Sequence, residues 1–149
     1  MNKGSLGFPG TGDSCISVGV ANGYGSVSNK HRRFSQIFLS IGDDVVYEDN
    51  ASFGATFRIA TAGKYGMVYC DNATAAANIG ISLDSTQGAT GVTLITPATR
   101  LCVSTTGNAG YNGEATAIRW LPAGAIIRPH SDGLAISDPN TAVFTITKL

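Results

Sequence analysis

Glycine divides this chain into short segments, and most of the segments have the residue pattern of a β-strand. There are 19 glycines in 149 residues, and β-branched and aromatic residues fill the intervals between them. The clearest segment is "NIGISLD" at 78–84, where Ile79, Ile81 and Leu83 alternate with smaller or polar residues. Alternation with a period of two places these side chains on one face of a strand. Many short strands separated by turn signals predict an all-β sandwich or barrel.

Further segments repeat this pattern along the chain. In three of them, the residues predicted to share one face of a strand are Leu101 and Val103; Thr116, Ile118 and Trp120; and Ala142, Phe144 and Ile146. "ASFGATFRIA" and "KYGMVYC" are predicted as two more strands joined at Thr61-Ala62-Gly63, and "DDVVYE" and "AIIRPH" are shorter candidates. The alanine-rich "DNATAAAN" is predicted as a loop.

The segment Ser28–Ile41 fits two patterns. Phe34, Ile37, Phe38 and Ile41 have helical spacing, but Ile37, Leu39 and Ile41 also have strand spacing. The run Ile-Phe-Leu-Ser-Ile favours a pleated surface, so we favour a strand from about Phe34 and keep the helix as the alternative.

Composition limits the classes of function. The formal net charge is +0 and only 13% of residues are charged, which argues against nucleic-acid binding driven by bulk electrostatics. With 43% apolar residues, a weakly charged chain is expected to bury much of its surface against other protein. No run approaches ~18 consecutive apolar residues, and the first residues lack the apolar core of a signal peptide. We therefore expect synthesis in a cytoplasm and no membrane partner.

The three cysteines, Cys15, Cys70 and Cys102, do not form a recognised framework. Their number is odd and no Cys-x-x-Cys spacing occurs, so neither a disulfide set nor a zinc site is expected. Cys70 and Cys102 lie within apolar runs, which favours buried free thiols.

No set of residues predicts catalysis or a cofactor. His130, Ser131 and Asp132 are too close in sequence to form a triad, so "RPHSDG" is predicted as a polar hairpin loop. The basic group around His31 is predicted as a solvated turn, with a grip on an acidic partner as the alternative. The acidic group at 43–49 lacks the ligand ladder of a calcium loop. We expect no enzyme activity, no metal and no cofactor.

The first 25 residues, 1–25, are predicted as an extended arm ahead of a domain at 26–149. Three Gly-led triplets at 4–12 follow the collagen rule, but they are too few to hold a triple helix. Phe8 and Ile16 are candidate anchors in grooves of a neighbour, and a disordered terminus is the alternative.

Four stretches resemble the jelly-roll domain of the tumour necrosis factor and complement globular-head superfamily. They are "FRIATAGKYGMVYC", "NIGISLD", "AIRWLPAGAIIRPHSDG" and "AVFTITKL". Gly63-Lys64-Tyr65 matches the turn that opens a strand in that superfamily, and Phe144 supplies the aromatic residue of its last strand. The resemblance covers roughly 34–149. It implies an antiparallel jelly-roll sandwich of about eight to ten strands that forms homotrimers.

Similar domains without secretion occur in tailed bacteriophages, as trimeric capsid decoration (cement) proteins or as fibre heads. By that analogy we expect a structural virion protein on the outer capsid surface, bound to the major capsid protein of the same phage. The alternative is a receptor- or glycan-binding head of a tail or head fibre. The candidate partner-binding residues are Lys3, Phe8, Ile16, Lys30, Arg32 and Arg33. Tyr111, in a glycine loop, is the candidate exposed recognition residue; Tyr24 and Trp120 are further candidates.

Overall fold

The computed structural model describes residues 14–83 and 87–149, and it confirms the predicted all-β class. Ten strands are present in this part of the chain. They are β1 (Cys15–Tyr24), β2 (Arg32–Ile41), β3 (Val45–Asn50), β4 (Gly54–Ile59), β5 (Gly63–Asp71), β6 (Asn78–Leu83), β7 (Arg100–Thr105), β8 (Gly113–Leu121), β9 (Ile126–Ser131) and β10 (Val143–Lys148).

The strands form two five-stranded antiparallel sheets that face each other. Sheet A has the order β2-β1-β10-β5-β8, and sheet B has the order β3-β4-β9-β6-β7. Consecutive strands often change sheet, as β4 and β5 do across residues 60–62. This arrangement is the jelly-roll sandwich that the sequence predicted.

The core between the sheets is built around aromatic rings. Phe57 on β4 and Phe144 on β10 face each other with ring centroids 4.4 Å apart, and both are fully buried. Tyr69 on β5 lies 6.2 Å from Phe144. These contacts join the two sheets, since Phe57 belongs to sheet B and the other two residues to sheet A. Each fully buried side chain of this size contributes roughly 1.5–3 kcal/mol through removal of apolar area from water.

The ambiguous segment is a strand. β2 begins at Arg32 and ends at Ile41, so the helical alternative is wrong and the favoured interpretation is confirmed. Only its first part packs on the core, where Phe34 pairs with Ala21. From Ser35 onward every side chain is exposed, so the apolar spacing there does not mark a core face.

The predicted boundary between arm and domain needs correction. Residues 15–24, which the sequence analysis assigned to the arm, form β1 in sheet A between β2 and β10. Ile16 and Val18 are buried there in the core. Their alternation is short and Gly19 interrupts it, which is why the strand was missed. Residues 1–13 of the predicted arm lie outside the described residues.

Candidate interaction surface

The face of sheet A that points away from the core carries two aligned rows of side chains. Strand register places one residue from each of the five strands in each row. From the β2 edge to the β8 edge, the first row is Leu39, Ser17, Thr145, Val68 and Thr116. The second is Ile41, Cys15, Thr147, Gly66 and Ile118. We call these ten residues the outer face of sheet A.

These ten residues include no charged side chain, the charged Glu114 and Lys64 lie in the rows that flank them on the same face, and the larger of the ten are open to solvent. The exposed fractions are 42% for Leu39, 49% for Ile41 and 57% for Ile118. A contiguous exposed apolar patch marks an interaction site more often than it marks free surface. Within the described residues of a single chain, the Leu149 side chain covers part of this surface, at Gly66, and the larger apolar side chains stay exposed.

The polar groups at the centre of the outer face bond to one another. The Ser17 and Thr145 hydroxyl oxygens lie 2.8 Å apart, and the Thr147 hydroxyl lies 3.2 Å from the Cys15 Sγ. Burying an unpaired hydroxyl costs about 1–3 kcal/mol, so internal pairing lets this surface meet an apolar partner without that cost.

The two edges of the outer face differ in shape. At the β2 edge, the Phe38 ring lies on Gly19, where a Cβ would come within 2.2 Å of the Phe38 Cε2. At the β8 edge, Trp120 is 71% exposed and stands free of the sheet. Between them, the Leu149 side chain lies over Gly66, 3.6 Å from the position of a Cβ, and walls a shallow apolar groove.

The basic residues predicted to bind a partner are engaged inside the chain. Arg32 is 1% exposed and pairs with the buried Asp71, and half-buried Arg33 pairs with Asp49 at 2.6 Å. The Lys30 ammonium donates to the Asp132 carbonyl oxygen. The structure therefore turns Arg32 inward and leaves Arg33 and Lys30 with partners of their own.

The remaining predicted partner-binding residues divide between core and undescribed chain. Ile16 is 4% exposed in the core, so it is not an anchor that reaches a neighbour. Lys3 and Phe8 lie outside the described residues.

The candidate aromatic residues occupy three different environments. Tyr111 is 67% exposed in the loop between β7 and β8, as predicted for a tyrosine among glycines. Tyr24 is instead structural, because its hydroxyl donates to the Leu134 carbonyl oxygen at 2.6 Å and its ring lies 4.1 Å from the Arg32 guanidinium carbon. Trp120 belongs to the edge of the outer face.

Both histidines were misplaced by sequence reasoning. His130 lies in β9 rather than in a polar loop, His31 bridges to it, and both are fully buried. Burial, with help from the nearby Arg128 charge, lowers the pKa of His31 to about 3. Burial, together with His31, lowers the pKa of His130 to about 2. His130 was predicted in a loop because its neighbours in sequence are polar, whereas β9 is buried on both faces.

Two carboxylates of the acidic group at 43–49 are paired with cations, Asp49 with Arg33 and Asp44 with Lys148. Lys148 Nζ lies 2.9 Å from the Asp44 Oδ1, and the Ser14 hydroxyl donates to Asp44 Oδ2 at 2.8 Å. Hydrogen bonds from Thr61 and then Lys148 hold the pKa of Asp44 at about 2. Among the described residues, no group of three or more His, Cys, Asp or Glu side chains is placed to hold a metal ion.

The cysteines are free thiols and all three are half-buried, so Cys70 and Cys102 are less buried than predicted. Burial raises the pKa of the Cys70 and Cys102 thiols, which makes both poor nucleophiles at neutral pH. Within the described ranges, no helix is long and apolar enough to cross a membrane.

Sequence reasoning found the strands of the outer face but not the surface itself. In β8, Ala115, Ala117 and Leu121 point into the core, while Thr116, Ile118 and Trp120 point outward. A strand with few charges on either alternating set is expected to be covered on both faces. That signal was present in "ATAIRWL", where it marks the outward set of β8 as a candidate for burial against a partner.

The protein is similar to solved structures of murine APRIL. Crystal structures determined at pH 8.5, pH 5.0 and pH 8.0 align with TM-scores of 0.64, 0.62 and 0.61. Their sequence identities to this chain are 14%, 15% and 14%, and each alignment covers 92% of this chain and 99% of the other. No protein-family model and no curated protein matches the sequence. The structural similarity extends over nearly the whole of both chains, and it shows that this chain has the jelly-roll fold of the tumour necrosis factor family.

Proposed function

We propose that this chain is a trimeric capsid decoration protein of a bacteriophage, assembled through the outer face of sheet A. The observation that carries the assembly is the charge-free outer face, which one chain leaves open. Burying such a surface removes apolar area from water at about 25 cal/mol per Å². The proposed occupant of the outer face is a second copy of this chain, because a second copy is always present at the same concentration as the first.

The unequal edges favour a ring over a two-fold dimer. A two-fold contact places the same patch against itself, whereas contact between unlike patches closes into a ring when the rotation allows it. Here the β2 edge carries Phe38 over Gly19 and the β8 edge carries the protruding Trp120. The Trp120 edge of each copy is proposed to pack on the β2 side of the next, three times around the axis.

A trimer suits the repeated local three-fold sites of a capsid. Three copies of a modest contact engage together, and this raises avidity by ~10²–10⁴ over one contact. The proposed partner is the major capsid protein of the same phage. Because β1 is part of the domain, the capsid-binding arm of this proposal is restricted to residues 1–13, with Lys3 and Phe8 as its candidate contacts.

Two measurements test the proposal separately. Light scattering on the purified chain is expected to give three times the mass of 15.3 kDa, and a monomer would contradict the assembly. Co-sedimentation with undecorated capsids is expected to saturate at a multiple of three per site. Removing residues 2–13 should abolish binding while the trimer persists. Removing 1–25 is not a valid test, because it also removes β1.

The second candidate function, a receptor- or glycan-binding head, is favoured by one observation. Tyr111 is exposed on a loop, a position from which an aromatic ring can stack on a sugar or insert into a protein groove. Binding of the trimer to host cells or glycans, lost in Tyr111→Ala, with no binding to capsids, would favour this function over decoration.

A further inference from the structure

Residues 87–99, between β6 and β7, form a strap across the outward face of sheet B. Val92 and Ile95 anchor the strap and are almost fully buried. Two glycines of the strap allow its backbone to pack closely against the residues beneath it. A Cβ at Gly88 would come within 2.6 Å of the His31 Cε1, and one at Gly91 within 2.8 Å of the Asp132 Oδ1.

The strap is stabilised by its own turns, by these contacts and by hydrogen bonds that Leu83 of β6 and Arg100 of β7 donate to its carbonyl oxygens. Hydrogen bonds join Thr90 N to the Gln87 carbonyl oxygen at 3.0 Å and Leu94 N to the Gly91 carbonyl oxygen at 2.9 Å. The Gln87 side chain accepts a bond from Thr96 N at 3.2 Å. Single turns of this kind are marginal in water without packing, so the turns are expected to fray once Val92 and Ile95 leave the sheet.

The strap covers two imidazoles that are in direct contact. The His31 and His130 rings are perpendicular, with centroids 4.0 Å apart, and both are fully buried. His31 Nδ1 lies 2.9 Å from the Phe53 carbonyl oxygen, and His130 faces the backbone of Thr90 in the strap without a hydrogen bond of ordinary geometry.

The charges around the pair oppose protonation. Arg128, on the same strand as His130, donates to the Phe53 carbonyl oxygen at 2.7 Å and acts on both rings as a cation. Lys30 and Asp132 flank the pair in sequence and bond to each other through the Lys30 ammonium and the Asp132 carbonyl oxygen. The Asp132 carboxylate accepts from the Asn78 backbone and side chain, each at 2.9 Å.

We propose that residues 87–99 are an acid-released strap, which covers His31 and His130 at neutral pH and lifts from sheet B when they are protonated. Two imidazolium ions beside Arg128 repel one another in a site with little water, and lifting the strap hydrates all three. The inference concerns sheet B and does not depend on assembly through sheet A.

The size of the effect follows from proton linkage. The proposed opening returns both imidazoles to the ordinary pKa of 6.5, whereas in the closed form the pKa values are about 3 and about 2. Lowering the pH from 7.5 to 5.0 therefore favours opening by about 30-fold for one histidine and about 1000-fold for two.

Hydrogen exchange of the full chain at pH 7.5 and pH 5.0 tests the proposal. After correction for intrinsic exchange rates, protection of amides in 87–99 is expected to fall between 30-fold and 1000-fold and to lie well below that of β5 and β10 at both pH values. Unchanged protection of the strap, or strap protection equal to that of β5 and β10 at both pH values, would overturn the proposal.

Two variants separate titration from packing. His31→Gln with His130→Gln removes the titrating groups, so the strap should stay protected at pH 5.0. Gly88→Ala places a Cβ within 2.3 Å of the Ser28 Oγ and should open the strap already at pH 7.5. A strap that still opens in acid in the double variant would contradict the proposal. If the double variant does not fold, the proposal is tested by Gly88→Ala and by hydrogen exchange of the wild-type chain at the two pH values.

Discussion

Arg32 and Asp71 form an ion pair that solvent does not reach. The Arg32 Nη2 lies 2.7 Å from the Asp71 Oδ2, and the two side chains are 1% and 0% exposed. Arg32 Nε donates to the same oxygen at 2.9 Å, and the Tyr69 hydroxyl donates to it as well. The pair connects the start of β2 to the end of β5, which are not neighbours in sheet A. A predicted partner-binding residue is therefore an internal brace.

Removing one half of this pair should destabilise the domain severely. Asp71→Ala leaves the Arg32 charge buried without its partner, and a loss of about 3–5 kcal/mol in the free energy of unfolding is expected. Asp49→Ala is the matched control, because its pair with Arg33 is about one-quarter exposed and is worth about 0–1 kcal/mol. Urea unfolding at one fixed protein concentration measures both. Equal losses in the two variants would contradict a brace.

The strands were predictable because their signal is local. Alternation at Ile79, Ile81 and Leu83 and the buried set Ala142, Phe144 and Ile146 depend only on a period of two and on turn residues. The environments of His31, His130 and Arg32 were not predictable in this way. Their burial comes from the insertion of 25–31 beside β9 and from the covering strap, which join residues about 100 positions apart in sequence.

The interaction surface was only partly visible for the same reason. Trp120 and Ile118 were recognised as sharing a face, but a single strand cannot indicate whether that face points into the core or outward. The answer depends on which sheet packs behind β8, and that is a property of the complete sandwich. The prediction placed partner binding in the arm and in the basic cluster that follows it, whereas the ten residues of the outer face lie on the strands of sheet A and are uncharged.

A charge on the outer face of sheet A should prevent assembly. Ile118→Glu places a carboxylate in a surface that the proposed trimer buries, and each contact should weaken by at least roughly 3 kcal/mol, or about a hundredfold. Val46→Glu is the control, because Val46 is similarly exposed, at 53%, but lies on sheet B. Sedimentation velocity should find a monomer for the first variant and the wild-type mass for the second. A trimer in both would place the contact elsewhere.

Acid should destabilise the domain in two pH windows that overlap below pH 3.8, one set by the two histidines and one by Asp44. Below pH 6.5 the unfolded chain takes up protons on His31 and His130 that the folded chain refuses, so stability falls by up to about 1.4 kcal/mol per pH unit for each histidine. Asp44 is an acid and the histidines are bases, but the protonation of Asp44 at low pH also destabilises the folded chain. Its pKa is lowered from 3.8 to about 2, so its contribution is present above pH 3.8 and is lost as pH falls toward 2.

Two variants assign these windows. Asp44→Asn should remove the additional loss that Asp44 causes below pH 3.8, and the double His→Gln variant should remove the loss that begins near pH 6.5. Unfolding measured between pH 8 and pH 2.5 checks both. A stability that stays flat between pH 6.5 and pH 4 in the wild-type chain would mean that the imidazoles are not buried as neutral groups.

The last prediction concerns Gly19 and the ring that lies on it. In Gly19→Ala the new Cβ would meet the Phe38 Cε2 at 2.2 Å and Cζ at 2.6 Å, so the ring must swing away from β1. Phe38 is 52% exposed and is free to move, so the domain should lose less than about 1 kcal/mol. The β2 edge of the outer face, however, loses its shape, and the trimer should dissociate at a higher protein concentration than the wild-type trimer does.

A double-mutant cycle tests this cause directly. If Gly19→Ala acts only through Phe38, then combining it with Phe38→Ala should weaken the trimer no more than Phe38→Ala alone. Additive losses would mean that Gly19 contacts the neighbouring copy itself.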